Sequence, residues 1–533
     1  MSKVHSLYER FPYILPVGSA LILIVTLPPF NLWLLVFVAL VPMYLFTFQE
    51  QNIHRVFAGA LFLGLLFSGY LFFITLSSFS WIPEAHLFST LVKLLAIPVV
   101  LFASVATALS VYLLKMSYLF KTESEIPPTP LQRAILFGVF AVAEWLVGKV
   151  FMGFNYGSLA YAATHIPALR FMASIGGTFL VTFVVVFGNA AIAEALRFLF
   201  QRKNRDVPLL IPLGIFAAII GISLLYQRIV PVASLTTSPS ISIAIIQDPT
   251  HKESEAFGTI AQGSFQFPLL EKYVAEAVVL HPDIIIYPFS PWTGVLANTL
   301  DNRRFTKNII GMDFAIFGKW LAIHVPPETT LVTWDTRLEG GKYWGEIDFW
   351  KNGALVGSYR KKTLFPFMDY TPQWSGQLGV YSLPYDGTEG TSTSPVIIGK
   401  AVIGNLVCSE VALPESAQEN SGAVDVVFAI GSEAMFSSPL ASEFNLLNAQ
   451  LRATESGRVT IRANKFGPSA LIDTYGNIIK GLPRNQSGIL FVETPVQTDH
   501  KMTLYSSITE YPFLILLMGY ALFLLTKSSR KSF

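Results

Sequence analysis

Eight stretches of this chain are too long and too apolar for an ordinary soluble domain. They lie at about 13–29, 31–48, 57–76, 88–114, 134–151, 169–196, 207–226 and 509–526. Each approaches the roughly 20 mostly apolar residues that a helix needs to cross about 30 Å of hydrocarbon. Composition agrees: 14% of the residues are charged and 52% are hydrophobic, where soluble domains carry roughly 25% charged residues. The first run has no small-residue cleavage site and passes through Pro28-Pro29-Phe30-Asn31 into the second, so it reads as a span and not a cleaved signal peptide.

The apolar runs fall in 1–230 and 508–527, whereas 240–500 has the turns, charges and alternation of a globular domain. The expected organisation is a seven-helix transmembrane domain over 1–230, a globular domain over 238–500, and an eighth span with a basic tail over 508–533. Cations cluster at one set of span ends, among them Arg10, Arg55, Lys115, Arg133, Arg202, Lys203 and Arg530, while the opposite short loops offer little beyond Lys149 and Arg170. Cytoplasmic loops are the ones rich in Lys and Arg. Both termini are therefore expected inside, with the globular domain outside the cytoplasmic membrane. Within the spans Glu144 is the clearest charge. An intramembrane carboxylate is a functional candidate by default, and a helix–helix hydrogen bond explains it equally well. Lys93 lies near an interface and reads as a snorkelling side chain.

In the globular part, strand-like runs are expected at Ile241–Ile246, Asp283–Tyr287, Trp320–His324, Tyr343–Trp350, Val396–Gly399, Ala401–Cys408, Val424–Ala429, Val459–Ala463 and Ala470–Asp473. Helices are expected at about 267–280 and 439–456, the latter with apolar residues at 440, 444, 446, 447 and 451, consistent with one buried face. Strands alternating with helices imply layered α/β structure. The formal net charge of +2 comes without a basic, aromatic-interleaved patch, which gives no reason to expect nucleic acid. The His residues lack metal-ligand spacing, and one cysteine cannot build a thiolate zinc site. No cofactor is expected. The single Cys408 closes an apolar run and reads either as a small buried hydrophobe or as a nucleophile.

Several blocks together resemble the apolipoprotein N-acyltransferases, membrane enzymes with a nitrilase (carbon–nitrogen hydrolase) domain. They are Leu27-Pro28-Pro29-Phe30-Asn31-Leu32-Trp33, Ala143-Glu144-Trp145-Leu146 followed by Gly153-Phe154-Asn155-Tyr156-Gly157, Tyr359-Arg360-Lys361-Lys362-Thr363-Leu364-Phe365-Pro366, the run around Cys408, and Leu451-Arg452-Ala453-Thr454-Glu455-Ser456-Gly457-Arg458. The resemblance implies an eight-span helical bundle plus a nitrilase-like αββα sandwich in a bacterial inner membrane, with the sandwich on the periplasmic side. It implies acyl transfer from a phospholipid through an acyl-cysteine to the α-amine of a membrane-anchored lipoprotein. A covalent intermediate splits one hard step into two easier ones.

Carried over residue by residue, Cys408 is the nucleophile and Lys361 the oxyanion stabiliser. The family's general-base glutamate falls on Phe289, in Pro282-Asp283-Ile284-Ile285-Ile286-Tyr287-Pro288-Phe289, and phenylalanine accepts no proton. Further departures are Asn155-Tyr156 for Pro-Trp, Ser409 for the tyrosine after the nucleophile, Ser432-Glu433 for Asn-Asp, and Asp369 for a supporting glutamate; Glu410 is retained. A base relocated to Asp369, Glu410 or Glu433 is one reading. A lipid- or lipoprotein-binding pseudoenzyme is another, and a changed reaction such as amide hydrolysis is a third. A transporter is disfavoured, since polar intramembrane residues are sparse and broken-helix repeats are not evident.

Overall fold

A computed structural model describes the chain outside residues 1–10, 78–85, 123–127, 151–157, 201–206, 230–239, 250–266, 289–294, 298–310, 367, 378–382, 384–385, 392–394, 434–438, 497–500 and 530–533. It forms two compact units: 1–76 with 92–230 and 503–533, and 77–91 with 231–502.

The first unit is helical. Among its described residues, five helices are long and apolar enough to cross a membrane: Ile53–Phe72, Ile97–Met116, Pro130–Val150, Ala173–Leu199 and Pro208–Ile229. Three further apolar helical segments, Ile14–Thr26, Trp33–Gln49 and Tyr511–Phe523, are shorter. The side chain of Lys93 lies outside the described residues. The helix Ala173–Phe200 is the most buried of the five long ones and carries the polar ties of the bundle. Its Asn189 accepts from the Leu40 N–H at 2.8 Å and donates to the Val36 carbonyl at 2.7 Å. Its Glu194 takes two bonds from Arg133, at 2.7 and 2.9 Å, and one from the Tyr44 hydroxyl. Arg133 and Lys115, counted from sequence as loop cations, are thus buried (8% and 2% exposed). Glu194 closes the sixth apolar run, where the sequence reading marked no charge.

The second unit is built on two sheets. The larger contains β1 (Ser240–Gln247), β2 (Ile284–Tyr287), β3 (Val295–Ala297), β4 (Gly311–Asp313), β5 (Thr330–Glu339), β6 (Lys342–Lys351), β7 (Ala354–Arg360) and β14 (Gly488–Pro495). The smaller contains β8 (Val396–Ile398), β9 (Ala401–Val407), β10 (Val426–Gly431), β11 (Val459–Asn464), β12 (Ser469–Ile472) and β13 (Ile478–Leu482), in the order β13-β12-β11-β10-β9-β8.

Successive side chains of a strand point to opposite faces, and both faces here are apolar. Ile243, Ile245, Ile284, Ile286, Val332 and Phe349 of the larger sheet meet Ile403, Val407, Val426, Phe428 and Ile461 of the smaller in one core. The alternate residues Ala244, Ile246, Ile285 and Leu331 pack instead against Leu270, Val274, Phe317 and Leu321 of the helices Phe267–Val278 and Phe314–His324. Leu406, Val427 and Ala429 pack against Ala449 and Ala453 of the helix Leu440–Ser456. The layering is helix, sheet, sheet, helix, as an αββα sandwich requires. The helix Leu440–Ser456 stops at Gly457, whose φ of 67° is the left-handed conformation of a C-terminal cap.

One expected strand is corrected. Trp320–His324 belongs to the helix Phe314–His324. Phe317 and Leu321 stand four residues apart and are both buried, which is one helical face, and Trp320 stacks on His324 with ring centroids 4.5 Å apart. Replacing Phe428, fully buried at the centre of the sandwich and stacked on Phe349, with Ala is expected to cost about 3–5 kcal/mol of stability. Denaturant unfolding of the full chain in detergent measures it, and a loss below about 1 kcal/mol would contradict this core.

Candidate active site

β9 is parallel to β10, which is parallel to β11, so the carboxyl ends of three strands meet at one edge of the smaller sheet. Such edges are where open α/β sheets present functional groups. Cys408 stands immediately after β9, at the start of a short 3-10 helix, Cys408–Ala412. Its φ of 50° lies in the left-handed region, which costs a non-glycine residue about 1–2 kcal/mol. Gly431 lies close against this turn: a β-carbon there would come within 3.3 Å of the Cys408 Cα. The thiol is half-buried and packs at the margin of the sandwich core.

Lys361 follows β7. Its N–H donates to the Gly345 carbonyl at 2.8 Å, which extends the β-pairing by one residue. The side chain is 2% exposed, and its ammonium is 2.5 Å from Asp369 Oδ2. The same oxygen accepts the Phe365 N–H at 2.6 Å. Burial by itself favours the uncharged amine, but Asp369, Cys408 and Glu410 outweigh it and raise Lys361 above the usual lysine value. The ammonium is therefore fixed, charged and within electrostatic range of the sulfur.

Glu410 ties these pieces together. Its Oε1 accepts the N–H groups of Lys362 and Thr363 at 2.7 and 3.0 Å. Its Oε2 accepts the Val407 N–H at 2.8 Å and the Tyr359 hydroxyl at 3.1 Å. Burial pushes its carboxyl above the ordinary range; the backbone N–H groups and Lys361 offset part of that rise.

Of the residues singled out in the sequence, Cys408, Lys361, Asp369 and Glu410 thus come together. Ser409 lies beside Cys408 in the 3-10 helix and is half-exposed. Glu433 follows β10 and pairs with Arg462 of β11 at 2.5 Å. Phe289 lies outside the described residues. Tyr359, Arg462 and Asn445 had no role in the sequence reading. Arg462 left a signal, since a cation in the apolar run Val459–Ala463 needs a buried anion as partner.

In the helical unit Glu144 accepts from the hydroxyls of Ser158 (2.5 Å) and Thr182 (2.6 Å) and from the Leu159 N–H (3.0 Å). It therefore braces helix to helix, and it also lines an otherwise mostly apolar cavity with Leu23, Leu63, Phe67 and Phe140. Among the described residues there is no His/Cys/Asp/Glu cluster suited to a metal ion.

Two predictions follow from this geometry. Lys361→Met removes the cation beside the sulfur, so alkylation of Cys408 by iodoacetamide at neutral pH is expected to slow by roughly 10-fold or more; an unchanged rate would separate the two groups. The second concerns Glu410, whose folded pKa is raised. The folded chain then holds a proton that the unfolded chain has released, so the contribution of Glu410 to stability is fully present below about 4.5 and is lost as pH rises through its folded value. Unfolding of the wild type against Glu410→Gln should show that difference shrinking with rising pH, and a difference that grows would reverse the sign.

Two stretches of the chain match known family models. Residues 19–191 match the model of the apolipoprotein N-acyltransferase N-terminal domain, and residues 306–499 match that of the carbon–nitrogen hydrolases. An apolipoprotein N-acyltransferase of Rhizobium meliloti is 25% identical over 360 residues, 66% of this chain and 65% of that protein. One from Shewanella oneidensis is 24% identical over 398 residues, 71% of this chain and 70% of that protein. One from Pseudomonas aeruginosa is 35% identical over 161 residues, 29% of this chain and 31% of that protein. The chain thus spans just under two thirds of the Rhizobium relative's length. With both domain models matched in this order, the chain belongs to the apolipoprotein N-acyltransferase family and carries a carbon–nitrogen hydrolase domain.

Proposed function

We propose that this chain is an eight-span inner-membrane N-acyltransferase whose sandwich domain, on the periplasmic side, works through Cys408. It moves a fatty acyl chain from a phospholipid to the α-amino group of a lipoprotein N-terminal cysteine. The observation that carries this reading is Glu410, whose hydrogen bonds join the segment of the buried Lys361 to that of Cys408, the chain's only cysteine, in one site. A fixed ammonium in a water-poor site favours the negative charge that develops on an ester carbonyl oxygen under attack.

In the first half-reaction the sulfur bonds to the ester carbonyl carbon and the carbon–oxygen bond to glycerol breaks. The thiol proton ends on the departing lysophospholipid oxygen. In the second, the lipoprotein amine attacks the thioester carbon, the carbon–sulfur bond breaks, and a proton from nitrogen returns to sulfur. Lys361 holds the oxyanion in both. Asp369 keeps Lys361 ionised and aimed, and Glu410 holds the lysine and cysteine segments at fixed separation.

A second reading, a lipid-binding pseudoenzyme, has one specific support: Phe289 stands at the sequence position of the family's glutamate. Incubating the full chain in mixed micelles with a phosphatidylethanolamine bearing a labelled acyl chain decides between them. The expected result is a hydroxylamine-sensitive thioester on Cys408 that Cys408→Ala abolishes. Absence of the adduct from the wild type, with its appearance in Phe289→Glu, would assign the pseudoenzyme.

A further inference from the structure

The proposed reaction needs a proton acceptor, and the residue at the family's position for one is a phenylalanine. Two candidate carboxylates near the sulfur are committed elsewhere. Glu410 already takes four donors on its two oxygens, and Asp369 neutralises Lys361. Glu433 differs. Ile430 of β10 pairs with Val407 of β9, so the two strands end within one residue of each other, with Cys408 leaving one and Ser432-Glu433 the other. Both Cys408 and Glu433 line a small cavity, together with Asn445, Arg462 and Asn464.

Glu433 is 3% exposed. Its Oε1 accepts from Arg462 at 2.5 Å and from Asn445 at 2.9 Å. Its Oε2 is buried and has no hydrogen-bond partner among the described residues. An unpaired buried carboxylate oxygen is costly. The cavity measures ≈ 10 Å³, about the space that one water needs, and its walls offer that water several polar groups.

We propose that Glu433 is the proton acceptor for Cys408, acting through a single water held in this cavity. This rests on the acyl-transfer reading above. As sulfur bonds to the ester carbon, its proton passes to the water and a proton of the water passes to Glu433 Oε2. When the carbon–oxygen bond breaks, Glu433 returns a proton by the same route to the lysophospholipid oxygen. In the second half-reaction it takes the amine proton and delivers it to sulfur. Arg462 and Asn445, both bound to Oε1, orient the other oxygen toward the cavity.

The test follows thioester formation on Cys408 against pH, in the micelles described above, for wild type, Glu433→Gln and Glu433→Asp. Near pH 7, Glu433→Gln is expected to acylate at least ~100-fold more slowly. The gap should narrow as pH approaches about 8.5, where a thiol ionises unaided. Glu433→Asp, which keeps the charge but withdraws the oxygen, should fall between the two.

Iodoacetamide alkylation of Cys408 near roughly pH 10, where thiolate is abundant without a base, should be alike in all three and reports an intact site. If Glu433→Gln fails that control, the pH dependence of Glu433→Asp decides by the same criterion. Wild-type acylation rates in the variants, or a loss equal at every pH, would overturn the assignment. Absence of the adduct from the wild type itself would instead remove the acyl-transfer reading, and this inference with it.

Discussion

The site depends above all on one buried carboxylate. Glu410 receives hydrogen bonds from the end of β7, from the segment that carries Lys361, and from the end of β9. β7 belongs to the larger sheet and β9 to the smaller. The apolar interior between the sheets is non-directional and does not by itself fix the distance between a lysine on one and a cysteine on the other. A carboxylate with every donor in place does, because each displacement would strand a polar group away from water. Lys361 is then charged for a separate reason, the adjacent Asp369, which opposes the effect of burial.

The helical unit applies the same rule where water is scarcer. Glu144 and Glu194 each sit among donors supplied by other helical segments, so each carboxylate fixes a neighbour relation that apolar packing leaves loose. Removing a single donor from such a cluster leaves an uncompensated buried charge. That asymmetry makes these few polar residues more demanding than the apolar ones around them.

Sequence patterning revealed the layered α/β domain well wherever strands were apolar on both faces, as in Ile241–Ile246 and Ala401–Cys408. It failed where local composition was ambiguous. Trp320–His324 is a short apolar run that periodicity cannot assign, and only its burial beside Phe317 shows the helix. β5 is hard to recognise in the sequence because its buried positions include Thr330, Thr333 and Asp335, which resemble a solvated loop. Lys361 and Cys408 were identifiable through the blocks around them. The pairing of Glu433 with Arg462, 29 residues apart, and of Arg133 with Glu194, 61 apart, was not, because ion-pair partners distant in sequence leave no local period.

The left-handed turn at Cys408 bears on why a thiol stands there at all. Backbone of that hand is relaxed for glycine and strained for a side chain with a β-carbon. A residue chosen only to fill space would sit in an ordinary extended conformation one position earlier, as Val407 does. The sole sulfhydryl of the chain is instead placed where it makes the fold slightly worse, at the rim of the sheet and only at the margin of its packing. Cys408 is thus held in a conformation that packing alone does not favour.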